Sequence, residues 1–245
     1  MNIAKIKFTA TCLCLFSSLV QAATCLERWD QAAEGLTPKL AELRGLCDND
    51  LKRPLQELLA KNHVGHHYNL AKQALSREIQ FDDSSEGACS VYSPTHCEGQ
   101  YALNVEHTWP QSQGAGVKPM ISDIHHLFLA EAEFNSVRSN YPFCDVERAE
   151  WQAEGSRLGF AKDGNQLCFE PPDSHKGNVA RAMFYFASRY SKKIGSGQEN
   201  TFRRWHALDP VDAQEILRND RIEEFQGNRN LFVDTPMLES FISDF

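Results

Sequence analysis

Asn104-Val105-Glu106-His107-Thr108-Trp109-Pro110 is the stretch from which both the fold and the chemistry of this chain are read. Gln100 to His107 reads as a strand, which Pro110 and a loop containing Gly114 and Gly116 end before Pro119. Ser122-Asp123 then opens a region of helical character that runs toward Ser139. The order is strand, loop, helix, with one polar cluster at the strand's exit and a second, Asn135-Ser136-Val137-Arg138-Ser139-Asn140, on the helix. Neighbouring side chains in a regular strand point to opposite faces, so Glu106 and His107 address one ligand only where the strand ends or twists. Asn135 and Arg138, three apart, share a helical face, with Glu131 one turn before Asn135.

These residue types are the parts of a metal-dependent phosphodiesterase site. Hydrolysing a phosphodiester needs a water made nucleophilic, charge stabilisation on the phosphorane and help for the leaving oxygen. A neutral His107 can accept the proton, because an imidazole titrates near working pH. The carboxylate of Glu106 and the amide oxygen of Asn135 are hard ligands of the kind Mg²⁺ prefers. Arg138 either addresses a phosphate oxygen or pairs with a neighbouring acid, and the residues leave both readings open.

Outward from this centre, the 245 residues are 42% hydrophobic and 24% charged, an ordinary globular composition with no repeats, so one domain is expected over residues 23–245. Residues 1–22 differ: Lys5 and Lys7, an apolar run from Phe8 to Val20, and Val20-Gln21-Ala22 as a small-residue cleavage site read as a secretory signal peptide. The run is short for a bilayer and no second apolar stretch of about 18 residues follows, so the mature protein is expected to be exported and free of the membrane, periplasmic or secreted, as a monomer. Cys25, Cys47, Cys89, Cys97, Cys144 and Cys168 then remain, an even number in an exported chain, for which local pairing of 25 with 47, 89 with 97 and 144 with 168 is the expectation. Losing the leader's two lysines leaves 23 basic against 33 acidic residues. A nucleic-acid substrate would therefore need local concentrations of positive charge, helped by metal ions, and affinity should be modest and fall with salt.

Apolar residues recur at helical spacing from Leu26 to about Leu75, as in Leu40, Leu43 and Leu46 and again in Leu55, Leu58 and Leu59. His63-Val64-Gly65-His66-His67-Tyr68 looks metal-like but lacks a nearby carboxylate and reads as exposed or capping histidines. Asp82 to Gly99 reads as loop and short strand. Pro171-Pro172-Asp173-Ser174 starts a helix on which Val179, Met183, Phe186 and Tyr190 share a face. Asp123 reads as a cap and His125 and His126 as buried, hydrogen-bonded groups. Gln226-Gly227-Asn228-Arg229-Asn230 reads as turn chemistry.

Asn104-Val105-Glu106-His107 with Trp109-Pro110, Asp123-Ile124-His125-His126-Leu127 and Glu133-Phe134-Asn135-Ser136-Val137-Arg138-Ser139-Asn140 together resemble the endonuclease I family of exported bacterial nucleases. The resemblance continues through Lys176-Gly177-Asn178-Val179-Ala180-Arg181-Ala182-Met183-Phe184-Tyr185, Trp205, Asp209-Pro210, Arg218-Asn219 and the Gln226 to Asn230 motif, and covers most of the chain from Glu106 to Pro236. It implies an α+β, mostly helical, disulfide-stapled domain around a ββα-metal (His-Me finger) core that cuts DNA and often RNA with little sequence preference. It also implies His107 as general base and Glu106 and Asn135 as ligands of one Mg²⁺, with in-line attack by water leaving a 5′-phosphate. Some members place a phosphate-contacting arginine in the loop after the catalytic histidine, whereas Gln111 to Ser122 here contains only Lys118. Lys118 would supply a point charge and Arg138 a bidentate fork. Arg181 and Tyr185, four apart, are further candidates for touching nucleic acid, although a helix with an apolar stripe usually explains its other residues as a solvated face. Two rivals stand beside this reading: a zinc hydrolase of another substrate class using His107, His125 and His126, and a non-catalytic exported interaction module.

Overall fold

The computed structural model describes residues 25–30, 38–80, 87–162 and 166–245, and the expected leader at 1–22 lies outside them. Helical spacing in the first third is realised in α1 (Asp48–Ala60), which buries Leu51, Leu55 and Leu59, and in α2 (Tyr68–Ala74), continued by one π-helical turn at Leu75–Ile79. His67 caps α2 by accepting the backbone N–H of Asn69, one of the capping roles expected of the histidine-rich stretch.

β1 (Leu103–His107) pairs antiparallel with β2 (Leu127–Glu131), in a register that sets Glu106 opposite Phe128 and His107 opposite Leu127. This corrects the single helical region expected from Ser122 to Ser139. The segment instead makes a short 3₁₀ turn at Ile124–His126, then β2, and only then α3 (Ala132–Arg138). The reason is burial: Leu127, Phe128, Leu129 and Ala130 are all buried, and a short, wholly apolar run carries no periodicity that separates a buried strand from a helix.

A second antiparallel sheet, β3 (Arg148–Ala153), β4 (Ser156–Phe160) and β5 (Leu167–Glu170), follows in the order β3-β4-β5. Its first hairpin turns through Glu154 and Gly155, whose φ values of 48° and 85° are the pair of positive angles that a tight two-residue hairpin requires.

α4 (Asp173–Tyr190) starts where the two prolines predicted, but it is no surface helix. Val179, Ala180, Arg181, Phe184, Tyr185 and Phe186 are buried around its whole circumference. α5 (Ser196–Leu208), α6 (Ala213–Gln226) and the short α7 (Leu231–Asp234) follow, with Phe202 and Trp205 of α5 and Phe232 of α7 joining α4 in the main core. α6 begins with the Asp212 carboxylate accepting the Glu215 N–H and ends at Gly227, where φ is +85° and an added Cβ would collide with the carbonyl of Asn62. The disulfides join 25 to 47, 89 to 97 and 144 to 168, the local pairing expected. The fold is thus mixed helix and sheet, mostly helical and stapled three times. No helix among the described residues is long and apolar enough to cross a membrane.

Candidate active site

His107 is the last residue of β1, and the ladder keeps its alternation up to that point. The pair thus sits where the strand ends, the condition under which Glu106 and His107 can address one ligand. The His107 ring meets the loop that follows it: Nε2 lies 3.2 Å from the carbonyl of Ile121, and the Gln111 side-chain nitrogen lies 3.3 Å from Nδ1 and 3.4 Å from Nε2. A carbonyl oxygen only accepts, so Nε2 carries the proton, and Nδ1 is the nitrogen whose lone pair receives the Gln111 amide. Burial pushes the imidazole below its ordinary value, against the opposing pull of the Ile121 and Val105 backbone. A neutral histidine with Nδ1 as its basic atom results.

Glu106 is 2% exposed. Its Oε1 accepts the hydroxyl of Tyr92 at 3.0 Å, and the Arg138 Nε stands 2.8 Å from the same oxygen, at an angle that makes a charge contact without an aligned hydrogen bond. Burial pushes the carboxyl up, while Arg138, Tyr92 and the His107 backbone N–H pull it back toward ionisation. Arg138 spends its remaining donors on backbone: Nη1 on the carbonyls of Ser139 and Tyr141, Nη2 on that of Thr108. It is 1% exposed, with the Phe143 ring 4.4 Å from its Cζ. Of the two readings open for Arg138, this geometry matches the buried ion pair. Arg138 positions Glu106, and its fork is not presented to a phosphate.

Asn135 faces β1 from α3, as the shared helical face predicts. Its Nδ2 donates to the Asn104 Oδ1 at 2.6 Å and to the Val105 carbonyl at 3.3 Å. Val105 offers only an acceptor, which fixes the amide orientation and leaves Oδ1 as the atom Asn135 can give to a ligand.

The loop carrying Ile121 is held by a buried carboxylate. Asp123 is 0% exposed; its Oδ2 accepts the hydroxyls of Tyr185 at 2.8 Å and Tyr190 at 2.6 Å, and its Oδ1 accepts Gln226 Nε2 at 2.8 Å and the His125 N–H. Burial alone would raise this carboxyl, but His125, His126, His63 and the Tyr190 hydroxyl outweigh it and hold it at about 2. His126 Nε2 rests on the Met120 carbonyl and His125 Nε2 on that of Asn228. Asp123 does cap the turn, and both histidines are buried and hydrogen-bonded, as the sequence suggested. The Asn-rich motif missed by a turn-only reading supplies Gln226 and Asn228 to this network.

A family model described as Endonuclease I matches residues 48–237. The chain belongs to the endonuclease I family. Among curated relatives, an extracellular ribonuclease of Bacillus subtilis (strain 168) is 36% identical over 153 residues, covering 54% of this chain and 51% of that protein. A periplasmic deoxyribonuclease of Aeromonas hydrophila is 32% identical over 126 residues, covering 50% of this chain and 51% of that protein. A protein named Endonuclease-1 of Buchnera aphidicola subsp. Acyrthosiphon pisum is 30% identical over 116 residues, covering 47% and 46%. The chain spans about half the length of the curated relatives it matches.

In this member of the endonuclease I family, Arg181 corrects an expectation. It is 0% exposed, with Nε 2.7 Å and Nη2 2.6 Å from the two Glu215 oxygens and Nη1 on the Asp209 carbonyl. It ties α4 to α6 and to the end of α5 and cannot reach a nucleic acid, nor can Tyr185, buried on Asp123. The solvated face assumed for both fails for the same reason, because α4 is buried all round. Lys118 is exposed in the loop that presents Ile121. The trio His107, His125 and His126 is not arranged as a ligand set: the rings of 107 and 126 stand edge-on 5.6 Å apart, and each Nε2 is committed to a carbonyl. Sequence reasoning missed Tyr92, Gln111 and the Asp123 network. Tyr92 had one available signal, its place inside the short ring that Cys89 and Cys97 close.

Proposed function

We propose that this chain is an exported, metal-dependent endonuclease that hydrolyses phosphodiester bonds of DNA and RNA with little sequence preference. Its reaction would run at a ββα-metal core formed by β1, β2 and α3. The observation that carries this reading is the fixed tautomer of His107, a neutral base aimed by Ile121, at the strand end shared with Glu106 and Asn135. Family membership and relatives named as ribonuclease and deoxyribonuclease support the substrate class. Relatives named as extracellular and periplasmic, together with three disulfides, support a periplasmic or secreted location. We take the working form to be a monomer.

His107 Nδ1 would take a proton from the attacking water as its oxygen bonds to phosphorus. The bond to the 3′-oxygen breaks on the opposite side, and that oxygen takes up a proton from solvent water, leaving 5′-phosphate and 3′-hydroxyl ends. Gln111 would yield its place on Nδ1 to that water. Glu106 and Asn135 fit a divalent cation: both are hard oxygen donors, and the double tether of the Asn135 nitrogen commits its oxygen to any ligand. They would hold Mg²⁺, which when bound supplies charge to offset the negative phosphate and the leaving oxygen. Arg138 and Tyr92 hold Glu106 in place and oppose the upward push of burial on its carboxyl. Recognition through backbone charge and shape requires no base contacts.

The test is cleavage of plasmid DNA and of RNA by oxidised protein. Cleavage is expected with Mg²⁺, lost in EDTA and restored by excess Mg²⁺, with products that religate without prior 5′-phosphorylation. Intact substrates across Mg²⁺, Mn²⁺, Ca²⁺ and Zn²⁺ would sink the reading.

A further inference from the structure

The chain carries 33 acidic against 25 basic residues, so any surface where cations gather is set apart from its background. One such surface begins beside the active site. Gln111, whose side chain touches His107, accepts the Gly114 N–H on its own carbonyl at 3.1 Å. Against Gly114 lies the ammonium of Lys192: an added Cβ there would stand 3.2 Å from Nζ. Lys192 is delivered by the end of α4, where Ser191 adopts φ +49° and turns the chain out of the helix. From Lys192 a cavity of about 340 Å³ extends to α1, lined by Lys193, Lys52 and Arg53, by the carboxylate-bearing Asp244, and by Gln56, which donates to the Arg189 carbonyl.

We propose that this cavity is a track for the phosphodiester backbone of the substrate, carrying it from His107 past Lys192 and Lys193 to Lys52 and Arg53. The proposal rests on the nuclease reading above. It names the cations that the loop after His107 does not itself supply, since that loop holds Lys118 alone. Acidic neighbours are present but loosely engaged. Glu57 lies 3.0 Å from Arg53 with both side chains more than half exposed, and Asp244 lies 3.7 Å from Lys193, again at exposed positions. Exposed pairs of this kind are weak and yield to a phosphate. The negative end of the α4 dipole faces the same cavity, an effect confined to the last turn and screened by salt, and two lysines stand in front of it. Phosphates entering the track release counterions, which supplies affinity without sequence preference.

The test compares wild-type protein with the variant K52Q/R53Q/K192Q on a 30-base-pair duplex, measuring kcat/KM against salt concentration. R77Q/K162Q serves as a control for lost surface charge. The track predicts that the triple variant raises KM for the duplex roughly tenfold at ~0.1 M salt and flattens the log–log salt slope by about 2 to 3, whereas the control moves neither. Circular dichroism and urea midpoints confirm that both variants fold. Wild-type hydrolysis of bis(p-nitrophenyl) phosphate, too small to reach the track, reports the nuclease reading separately. If wild type cleaves both substrates and the triple variant keeps the native slope and KM, the track is overturned while the nuclease reading stands. If wild type cleaves neither, both fall.

Discussion

Replacing His107 with alanine is expected to lower kcat for duplex cleavage by roughly 10²–10⁴-fold, the range that positioned general bases supply. Gln111 and Ile121 hold the ring without touching any other described candidate for the base, so no second imidazole takes over. His126, the nearest ring, has its Nε2 on Met120 and is pushed down to about 3, chiefly by burial. KM should change little, because the proposed phosphate contacts lie elsewhere. Single-turnover rates at saturating DNA, taken beside a thermal melt, separate lost chemistry from lost folding. A variant within threefold of native rate removes His107 from the base role.

Stability should collapse on mild acidification. His125, His126 and His175 are buried and neutral, pushed down mainly by burial to about 4, about 3 and about 3. An unfolded histidine titrates near 6.5, so below that pH the unfolded chain binds protons the folded one refuses. These groups give their full stability above about pH 6.5, and it is lost as pH falls toward their folded values. At ~1.4 kcal/mol per unit, each costs about 2 kcal/mol at pH 5, roughly 6 kcal/mol for three, which rivals the whole stability of an ordinary domain. Asp123 does not offset this, since it stays ionised down to about 2. Urea unfolding of the oxidised protein at pH 5, 6, 7 and 8 should give midpoints that are level above 7 and drop steeply below 6.5. Equal midpoints at pH 5 and 7.5 would show that the buried imidazoles are already solvated.

Local signals in the sequence carried well: the strand ending at His107, the start of α4 after Pro171-Pro172, the pairing of neighbouring cysteines, and Asn135 and Arg138 on one face. What failed was information about neighbours. β2 and α3 are indistinguishable in sequence because Leu127 to Ala130 are apolar without a period. Neither a nucleic-acid contact nor a solvated face holds for Arg181 and Tyr185, because their polarity hides the fact that Glu215 and Asp123, far along the chain, bury them. The hairpin at Glu154-Gly155 lacked the usual Asn-Gly signature. The sequence admits two roles for Arg138, and only the three carbonyls around its guanidinium decide between them.

The Asp123 network also sets an order of assembly. Gln226 reaches Asp123 across 103 residues of sequence, Tyr185 across 62 and Tyr190 across 67, and Asn228 reaches back 169 residues to the Leu59 carbonyl. Contacts this distant close late, because the chain entropy of long loops is lost before they are rewarded. A ribosome-bound fragment that ends before α6 has Tyr185 and Tyr190 for Asp123 but lacks Gln226 and Asn228, so the loop under His107 is seated only in part. The setting of the His107 ring is therefore complete only once α6 has been made, and under the proposed base role a chain cut short of it would be a poor catalyst.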